Sequence, residues 1–108
     1  MDNFDVLGQG QISTAGLDFY LVPASKHAAV KYISLILTTA TATKVDLYIN
    51  DNTGALTKLW RHVELGVQYD GWEWDGSLAM GTGDRVWGKA DQNNTVNFVV
   101  CGVVGDPV

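Results

Sequence analysis

The sequence predicts an all-β fold, and its composition, periodicity and turn spacing all point to this class. Val, Ile and Thr number 13, 4 and 9 residues, whereas the helix formers Glu and Arg number two each. β-branched side chains fit a pleated surface and lose rotamer freedom in a helix. Twelve glycines are spread along the chain, and each would weaken a helix by up to ~1 kcal/mol. A chain of 108 residues supports one hydrophobic core, so we predict a single domain over residues 1–108.

The first half of the chain contains four predicted strands in clear order. Residues 4–12 and 17–22 are the first two. Residues 28–37 are apolar on both faces, which is typical of a central strand covered on both sides or by a neighbouring subunit. Residues 44–50 alternate strictly, with apolar side chains at the odd positions. This period of two predicts a strand with the odd positions facing the core.

A hairpin and a less regular strand follow. The run Asn-Asp-Asn-Thr-Gly at 50–54 is rich in turn formers and predicts a hairpin loop. Residues 59–65 predict the next strand, in which Arg61 interrupts the core face and indicates a strand end or a bulge. The aliphatic residues expected on the core face of this strand are Leu59, Val63 and Leu65. The residues expected on its outer face are Trp60, His62 and Glu64.

The second half contains the remaining predicted strands, at residues 67–74, 77–80, 84–90 and 94–104. The last of these is again apolar on both faces, which makes it the second candidate for a central strand. Eight or nine short strands, separated by turn signals every ten or so residues, are typical of a β-sandwich or jelly roll. We therefore predict an antiparallel β-sandwich of jelly-roll type with about eight strands.

Charge and cysteine content exclude several classes of protein. Twelve acidic and seven basic residues give a net charge of −5, so we expect neither nucleic acid nor an anionic membrane as a partner. The whole acidic excess follows His62. The start of the sequence is acidic, and no apolar run reaches the roughly 20 residues that a bilayer requires, so we expect no signal peptide or membrane span. The single cysteine, Cys101, cannot form an intrachain disulfide.

Aromatic residues mark the least ordinary segment of the sequence. Trp72 and Trp74 are two positions apart, so a strand would place them on one face, flanked by Asp70 and Asp75. One hypothesis is that they pack in the sandwich or against a neighbouring subunit, since tryptophan is enriched at interfaces. The other is that they stack on a sugar ring. The candidate interface or ligand-stacking residues are Trp60, Tyr69, Trp72, Trp74 and Trp87.

The residues that most often form metal or thiol sites occur here without the necessary context. His27 and His62 are 35 positions apart, and no His-x-x-x-His or Cys-x-x-Cys spacing is present, so we predict no metal site. His62 is expected to be exposed. Cys101 lies in an apolar run without the positive surroundings that produce a thiolate, and we predict a buried structural cysteine.

The carboxylates beside the tryptophans also make a poor catalytic pair. A strand would place Asp70 and Glu73 on opposite faces. Glu73 and Asp75 would share a face, with no sign of the burial that separates two pKa values for acid and base roles. We therefore predict a protein that is not an enzyme, with no catalytic residues and no cofactor.

Three segments, in order, resemble a family of small bacteriophage virion proteins. Residues 19–35 look like the strand, "VPAGK" corner and strand found early in these sandwiches, with Ser25 in place of the usual glycine. Residues 45–50 are similar to the family's "VTLYIN" strand. Residues 78–86 resemble its late "L-x-x-GD-x-(I/V)" turn, extended here by Thr82. The Trp-rich segment has no counterpart in this pattern.

The motifs in this resemblance are architectural. Pro23 cannot donate to a β-ladder and biases the preceding residue to extended geometry, so it ends a strand. Gly83 and Asp84 form a turn that leads into the next strand. The resemblance therefore implies a structural role, with Pro23, Gly83 and Asp84 as structural turns and no active site to transfer.

The function implied is that of a non-enzymatic phage structural protein, assembled in the host cytoplasm and located in the virion. The expected role is a head decoration or cement protein that binds the major capsid protein, as a homo-oligomer with a trimer favoured. A neck, tail or fibre position that contacts another virion protein is the alternative within the virion. A carbohydrate-binding β-sandwich that uses surface tryptophans is the alternative from another class.

Overall fold

The computed structural model describes residues 5–50 and 57–106 and contains eight strands. The predicted hairpin turn at 50–54 lies largely outside the described residues. The strands are β1 (Asp5–Gln11), β2 (Leu17–Leu21), β3 (His27–Leu37), β4 (Thr43–Asn50), β5 (Thr57–Leu65), β6 (Gly71–Met80), β7 (Arg85–Ala90) and β8 (Val96–Gly105).

The strands form two antiparallel sheets of four. The first sheet has the order β1-β8-β3-β6, and the second has the order β2-β7-β4-β5. Every connection except that from β4 to β5 crosses from one sheet to the other, which is the arrangement of a jelly roll. The prediction of an all-β antiparallel sandwich with about eight strands is confirmed.

Both strands predicted to be central are central, and they are neighbours in the same sheet. β3 and β8 pair along almost their whole length, from His27 opposite Gly105 to Leu37 opposite Val96. Their inward side chains, among them Ile33 and Val100, are fully buried. Burial of each such side chain contributes about 1.5–3 kcal/mol of hydrophobic stabilisation.

The two sheets meet through a stacked pair of phenylalanines. Phe19 of β2 and Phe98 of β8 lie with ring centroids 3.9 Å apart and ring planes 2° from parallel. The aliphatic core surrounds them, and Val45 and Leu47 of β4 face it as predicted. Ile49 of β4 is half-buried on the same side. Burial at the edge of this core raises the pKa of the Tyr20 phenol above its ordinary value.

The predicted strands at 67–74 and 77–80 differ from the structure. Residues 71–80 form one strand, β6, and residues 66–70 form a loop. The turn signal Asp75-Gly76 is absorbed by an irregularity in the pairing with β3 near Val30. A side chain on Gly76 would approach the indole of Trp74 to within 2.8 Å, so glycine lets that ring lie over the backbone.

The predicted structural turns lie side by side at one end of the sandwich. The Val22 amide donates to the Asp84 carbonyl (3.0 Å), and the Gly83 amide donates to the Val22 carbonyl (3.1 Å). The Asp84 carboxylate accepts the Gly81 amide at 2.9 Å, which closes the second turn. The corner that begins at Pro23 and the Gly83-Asp84 turn therefore form one hydrogen-bonded unit.

Ser25 occupies the left-handed conformation that favours glycine, with φ of 62°. This backbone geometry explains why the resembled corner usually has glycine where this chain has Ser25, since a side chain in this conformation costs about 1 kcal/mol. We expect Ser25→Gly to raise the free energy of unfolding by roughly 0.5–1 kcal/mol in urea denaturation. Ala24→Gly, in the same turn without a positive φ, is the control and should lower it. A Ser25→Gly variant less stable than the parent would contradict this account.

Candidate functional site

Three of the predicted aromatic residues close the open edge of the sandwich between β5 and β6. Trp72 pairs with Leu35 and Trp74 with Ile33, and both of those partners are buried. The two tryptophans therefore share a face, as predicted, and that face is the inner one. The indoles of Trp60 and Trp74 meet edge to face with centroids 5.0 Å apart. All three are half-buried against the core, which favours the packing hypothesis for them over an exposed sugar platform.

A bulge in β5 reverses the predicted orientation of its first residues. Leu47 of β4 pairs with Arg61, and the next residue, Tyr48, pairs with Leu59, so Trp60 is the extra residue. Leu59 is 54% exposed and Trp60 packs against the core. The predictions that Leu59 faces the core and Trp60 the outside were wrong. The bulge indicated by Arg61 is confirmed. The guanidinium of Arg61 lies over the Trp60 ring, 4.6 Å from the ring centroid.

Trp87 lies on the outer face of the second sheet. It pairs with Tyr48 of β4, and the two rings lie 5.4 Å apart with planes tilted by 58°. A side chain on Gly16 would overlap the indole of Trp87, so the loop before β2 packs against one part of that ring. Of the four tryptophans, Trp87 is the one whose pairing places it on an outer face.

Tyr69 has a different environment from all four tryptophans. It lies in the loop 66–70, where its side chain is 71% exposed, and nearby Val67 is 68% exposed. These are the two most exposed large apolar residues in the part of the chain that the structure describes. Tyr69 also has a φ of 69°, a conformation that is an outlier for a bulky residue and ends the extended geometry predicted for 67–74.

An apolar band runs along the outer face of the first sheet, and we call it the outer stripe. It consists of Ala29, Tyr32 and Ile36 on β3 and Val99, Cys101 and Val103 on β8, and Ser34, opposite Val99, interrupts it. Ala29 pairs with Val103, and Tyr32 pairs with Cys101. Ile36 is 41% exposed and Val103 is 43% exposed. The sequence pattern, apolar on both faces of these strands, predicted an apolar outer face. It placed Val30 on one face with Tyr32 and Ile36, but the register shift between Val30 and Tyr32 buries Val30 in the core.

Cys101 belongs to the outer stripe and corrects one prediction. It is a free cysteine of intermediate exposure, and the expectation of a buried structural cysteine was wrong. The buried residues of this strand are Val96, Phe98, Val100 and Gly102, and the alternation of β8 then directs Cys101 outward. The apolar run alone did not distinguish the two faces.

A shallow groove of about 380 Å³ crosses the outer face of the second sheet. Its lining residues are Thr14, Lys44, Asp46, His62, Lys89, Ala90 and Asp91. The Asp46 carboxylate lies 2.5 Å from Nδ1 of His62, and Lys44 lies 3.7 Å from Glu64. His62 is exposed, as predicted. The Asp91 carboxylate accepts the Lys44 backbone amide at 2.8 Å, and Lys89 forms no ion pair with the described carboxylates.

The remaining candidates for chemistry are dispersed. His27 is exposed at the start of β3, opposite Gly105, and the structure does not bring it to His62. Glu73 and Asp75 share the outer face of β6, as predicted from their spacing. Within residues 5–50 and 57–106, no three His, Cys, Asp or Glu side chains are grouped so that they could hold a metal ion.

Comparisons with family models, with curated proteins and with solved structures found no match to this chain. In the described part of the chain, no helix has the length and apolar character needed to cross a membrane.

Proposed function

We propose that this chain is a non-enzymatic structural protein of a bacteriophage virion, and that it decorates the outside of the capsid lattice as a homo-oligomer. The observation that carries the proposal is the outer stripe, an apolar band on the two central strands of a jelly-roll sheet. The outer face of an antiparallel sheet is normally polar where it meets water. An apolar band at its centre therefore supports burial by another protein.

The residues around the outer stripe have the composition of an interface rim. Along β1 and the start of β8 lie the neutral polar side chains of Gln9, Gln11 and Asn97, and Val6, opposite Cys101 and 55% exposed, extends the apolar centre onto β1. The side-chain oxygen of Asn97 is buried and accepts no hydrogen bond from the described residues. Along β6 lie Glu73 and Asp75. An apolar centre within a polar rim is the usual anatomy of a protein interface.

We assign the outer stripe to contacts between copies of this chain, in an oligomer for which a trimer is favoured. The described charges beside the stripe are of both signs, because Lys31 of β3 lies near Ser77 and faces the same side as Glu73 and Asp75. A surface that carries both signs permits complementary charge contacts between neighbouring copies. The segments that resemble small virion proteins include a corner and a turn, and in this chain the two are hydrogen-bonded to each other. This resemblance supports a virion as the location of the oligomer.

Self-association is tested by charging the outer stripe. We expect Ile36→Lys combined with Val103→Lys to raise the dissociation constant of the oligomer at least about tenfold, roughly 1.4 kcal/mol, because two partly exposed aliphatic contacts are replaced by desolvated charges. Sedimentation equilibrium measures the mass, and circular dichroism checks the fold. Leu21→Lys, on the outer face of the second sheet and 42% exposed, is the control. A parent chain that is monomeric at all the concentrations measured would contradict the proposed oligomer.

The virion role is tested by the location of density for this chain in a particle reconstruction. Density on the outside of the head lattice supports decoration. Density at the neck, tail or fibres supports the alternative position, in which the partner is another virion protein. Absence of the chain from purified particles would contradict both.

A carbohydrate-binding module is the second candidate, and the outward pair of Tyr48 and Trp87 favours it. These rings lie near Lys89, whose ammonium is 5.9 Å from the Tyr48 ring centroid, and in the next row Asp46 pairs with His62. Aromatic rings beside hydrogen-bonding groups can hold a sugar. A glycan array distinguishes the candidates: a monomer that binds a glycan and loses it in Tyr48→Ala supports the module, whereas an oligomer without glycan binding supports the structural role.

A further inference from the structure

The two long sides of the outer stripe differ in chemistry. On one side lie the side-chain amides of Gln9 and Gln11 on β1 and of Asn97 on β8, which we call the amide margin. On the other side lie the carboxylates of Glu73 and Asp75 on β6, which we call the acidic margin. The outer stripe, on β8 and β3, separates the two margins. This face therefore has hydrogen-bond donors along one side and anions along the other.

The amide margin has an unused hydrogen-bonding group and no charge. It lines an open groove of about 360 Å³ on the outer face. The side-chain oxygen of Asn97, beside Gln11, is buried and has no hydrogen-bond donor among the described residues. A buried acceptor without a donor is destabilising. The outward residues of β1, as its pairing with β8 defines them, are Val6, Gln9 and Gln11, and none of them is charged.

The carboxylates of the acidic margin have no counter-ion among the residues that the structure describes. Glu73 and Asp75 are exposed, and the four ion pairs of the described chain use other carboxylates. Lys31, on the neighbouring strand β3, directs its ammonium group to the Ser77 hydroxyl at 2.9 Å. Both carboxylates are therefore available to hydrogen-bond donors from another molecule.

Gln9 and Glu73 lie in one row across the sheet, at its two sides. Gln9 pairs with Val99, which also pairs with Ser34. Ser34 pairs in turn with Glu73. Neighbouring strands lie about 4.8 Å apart, so three strand spacings, roughly 14 Å, separate Gln9 from Glu73 in one copy. At that distance the amide and the carboxylate of one copy cannot form a hydrogen bond across the stripe.

A symmetric oligomer built on the outer stripe brings the two margins of different copies together. The stripe runs along β3 and β8, so a rotation axis parallel to these strands lets its whole length be buried. Rotation about such an axis places the β1 side of one copy against the β6 side of the next, in a two-fold dimer as well as in a three-fold ring. In a face-to-face dimer, an axis across the strands instead places Glu73 and Asp75 against their own copies, and these like charges repel.

We infer that the amide margin of one copy binds the acidic margin of the next, with the Gln9 side chain donating to the Glu73 carboxylate. This inference rests on the proposed function and names the residues that join its copies. An amide nitrogen donates and an ionised carboxylate only accepts, so the two margins are complementary. Hydrogen bonds to an ionised acceptor are stronger than those between neutral groups. A second copy is the occupant because one chain carries both halves of the contact, in the same row of its sheet.

The test is a charge-exchange series on the full chain, with self-association measured by sedimentation equilibrium. Gln9→Glu places a carboxylate opposite the Glu73 carboxylate of the next copy, and we expect the dissociation constant to rise at least about tenfold. Adding Glu73→Lys to the same chain gives each contact an ion pair, and it should restore the dissociation constant to within about threefold of the parent value. Gln9 is exposed on an edge strand, and circular dichroism checks that every variant is folded.

The matched control combines Gln9→Glu with Glu64→Lys. Glu64 is exposed on β5, in the second sheet, and its exposed ion pair with Lys44 contributes little to stability. This control makes the same change in net charge as the rescuing variant but places it away from the acidic margin. We expect it to associate as weakly as Gln9→Glu alone.

Each other result overturns the inference in a distinguishable way. If Gln9→Glu associates as tightly as the parent, the two margins do not meet, while the proposed oligomer still stands on the outer stripe variants. If Glu73→Lys does not restore association, Glu73 is not the partner of Gln9. If Glu64→Lys restores it equally well, the effect is one of net charge alone. A parent chain that does not self-associate contradicts both the proposed oligomer and this contact.

Discussion

Phe98→Ala is expected to lower the free energy of unfolding by about 3–5 kcal/mol, because it empties the centre of the core. Phe98 is buried on β8, and its ring lies on that of Phe19 with centroids 3.9 Å apart. The two rings come from different sheets, so the truncation removes apolar contact across the whole width of the sandwich. The cavity left behind adds to the lost transfer free energy.

Urea denaturation followed by tryptophan fluorescence measures this effect. Val99→Ala is the matched control, because Val99 is the next residue of the same strand and faces outward in the outer stripe. We expect it to cost less than about 1 kcal/mol in the monomer. Equal losses for the two variants would mean that the inner and outer faces of β8 are wrongly assigned.

Gly88→Ala is the second large effect, with an expected loss of about 1–3 kcal/mol from overpacking. Gly88 is buried in β7 on the face that meets the core. An added Cβ would lie 2.6 Å from Cζ of Phe19 and 3.1 Å from Cδ2 of Leu47. Both neighbours are themselves buried, so neither ring nor methyl group can move aside without displacing others.

The cause of this loss is tested by a double mutant. Phe19→Leu makes room at the position that the new methyl group would occupy. We therefore expect Gly88→Ala with Phe19→Leu to lose less stability than the sum of the two single variants, since the sites share one space. Gly105→Ala, where an added Cβ meets nothing within 4 Å, is the control for glycine replacement. Strict additivity in the double mutant would rule out the proposed clash.

The fold was predictable because its central strands have clear sequence patterns. Residues apolar on both faces mark β3 and β8, and the structure places these strands side by side. The strict alternation of β4 identified Val45 and Leu47 as core residues. Such patterns depend on local periodicity alone, which a single sequence displays in full.

The errors have a common physical origin in local departures from regular pairing. The bulge at Trp60 exchanges the faces of the residues before it, and the left-handed Tyr69 converts an expected strand into a loop. Both changes depend on one backbone residue. The periodicity of a sequence does not reveal such changes unless a residue breaks the pattern, as the charged Arg61 does on the expected core face of β5.

The candidate sites were only partly predictable for a related reason. Spacing correctly placed Trp72 and Trp74 on one face, but burial on that face depends on β5 and β6 meeting at the sandwich edge through Trp60. The exposure of Tyr69 follows from hydrogen bonds between its loop and Leu37, which lies far away in sequence. Contacts of this kind arise only when the two sheets come together.

The pairing of β1 with β8 also constrains how the protein is made. Asp5 lies opposite Gly102, and β8 separates β1 from β3 in the middle of its sheet. During synthesis, the first sheet therefore lacks its centre until β8 leaves the ribosome. Pairing across such sequence distances makes folding slow and leaves the edges of β1 and β3 open to association in the meantime. A nascent chain stalled before β8 should consequently depend on chaperones, whereas a chain that includes β8 should complete this sheet without them.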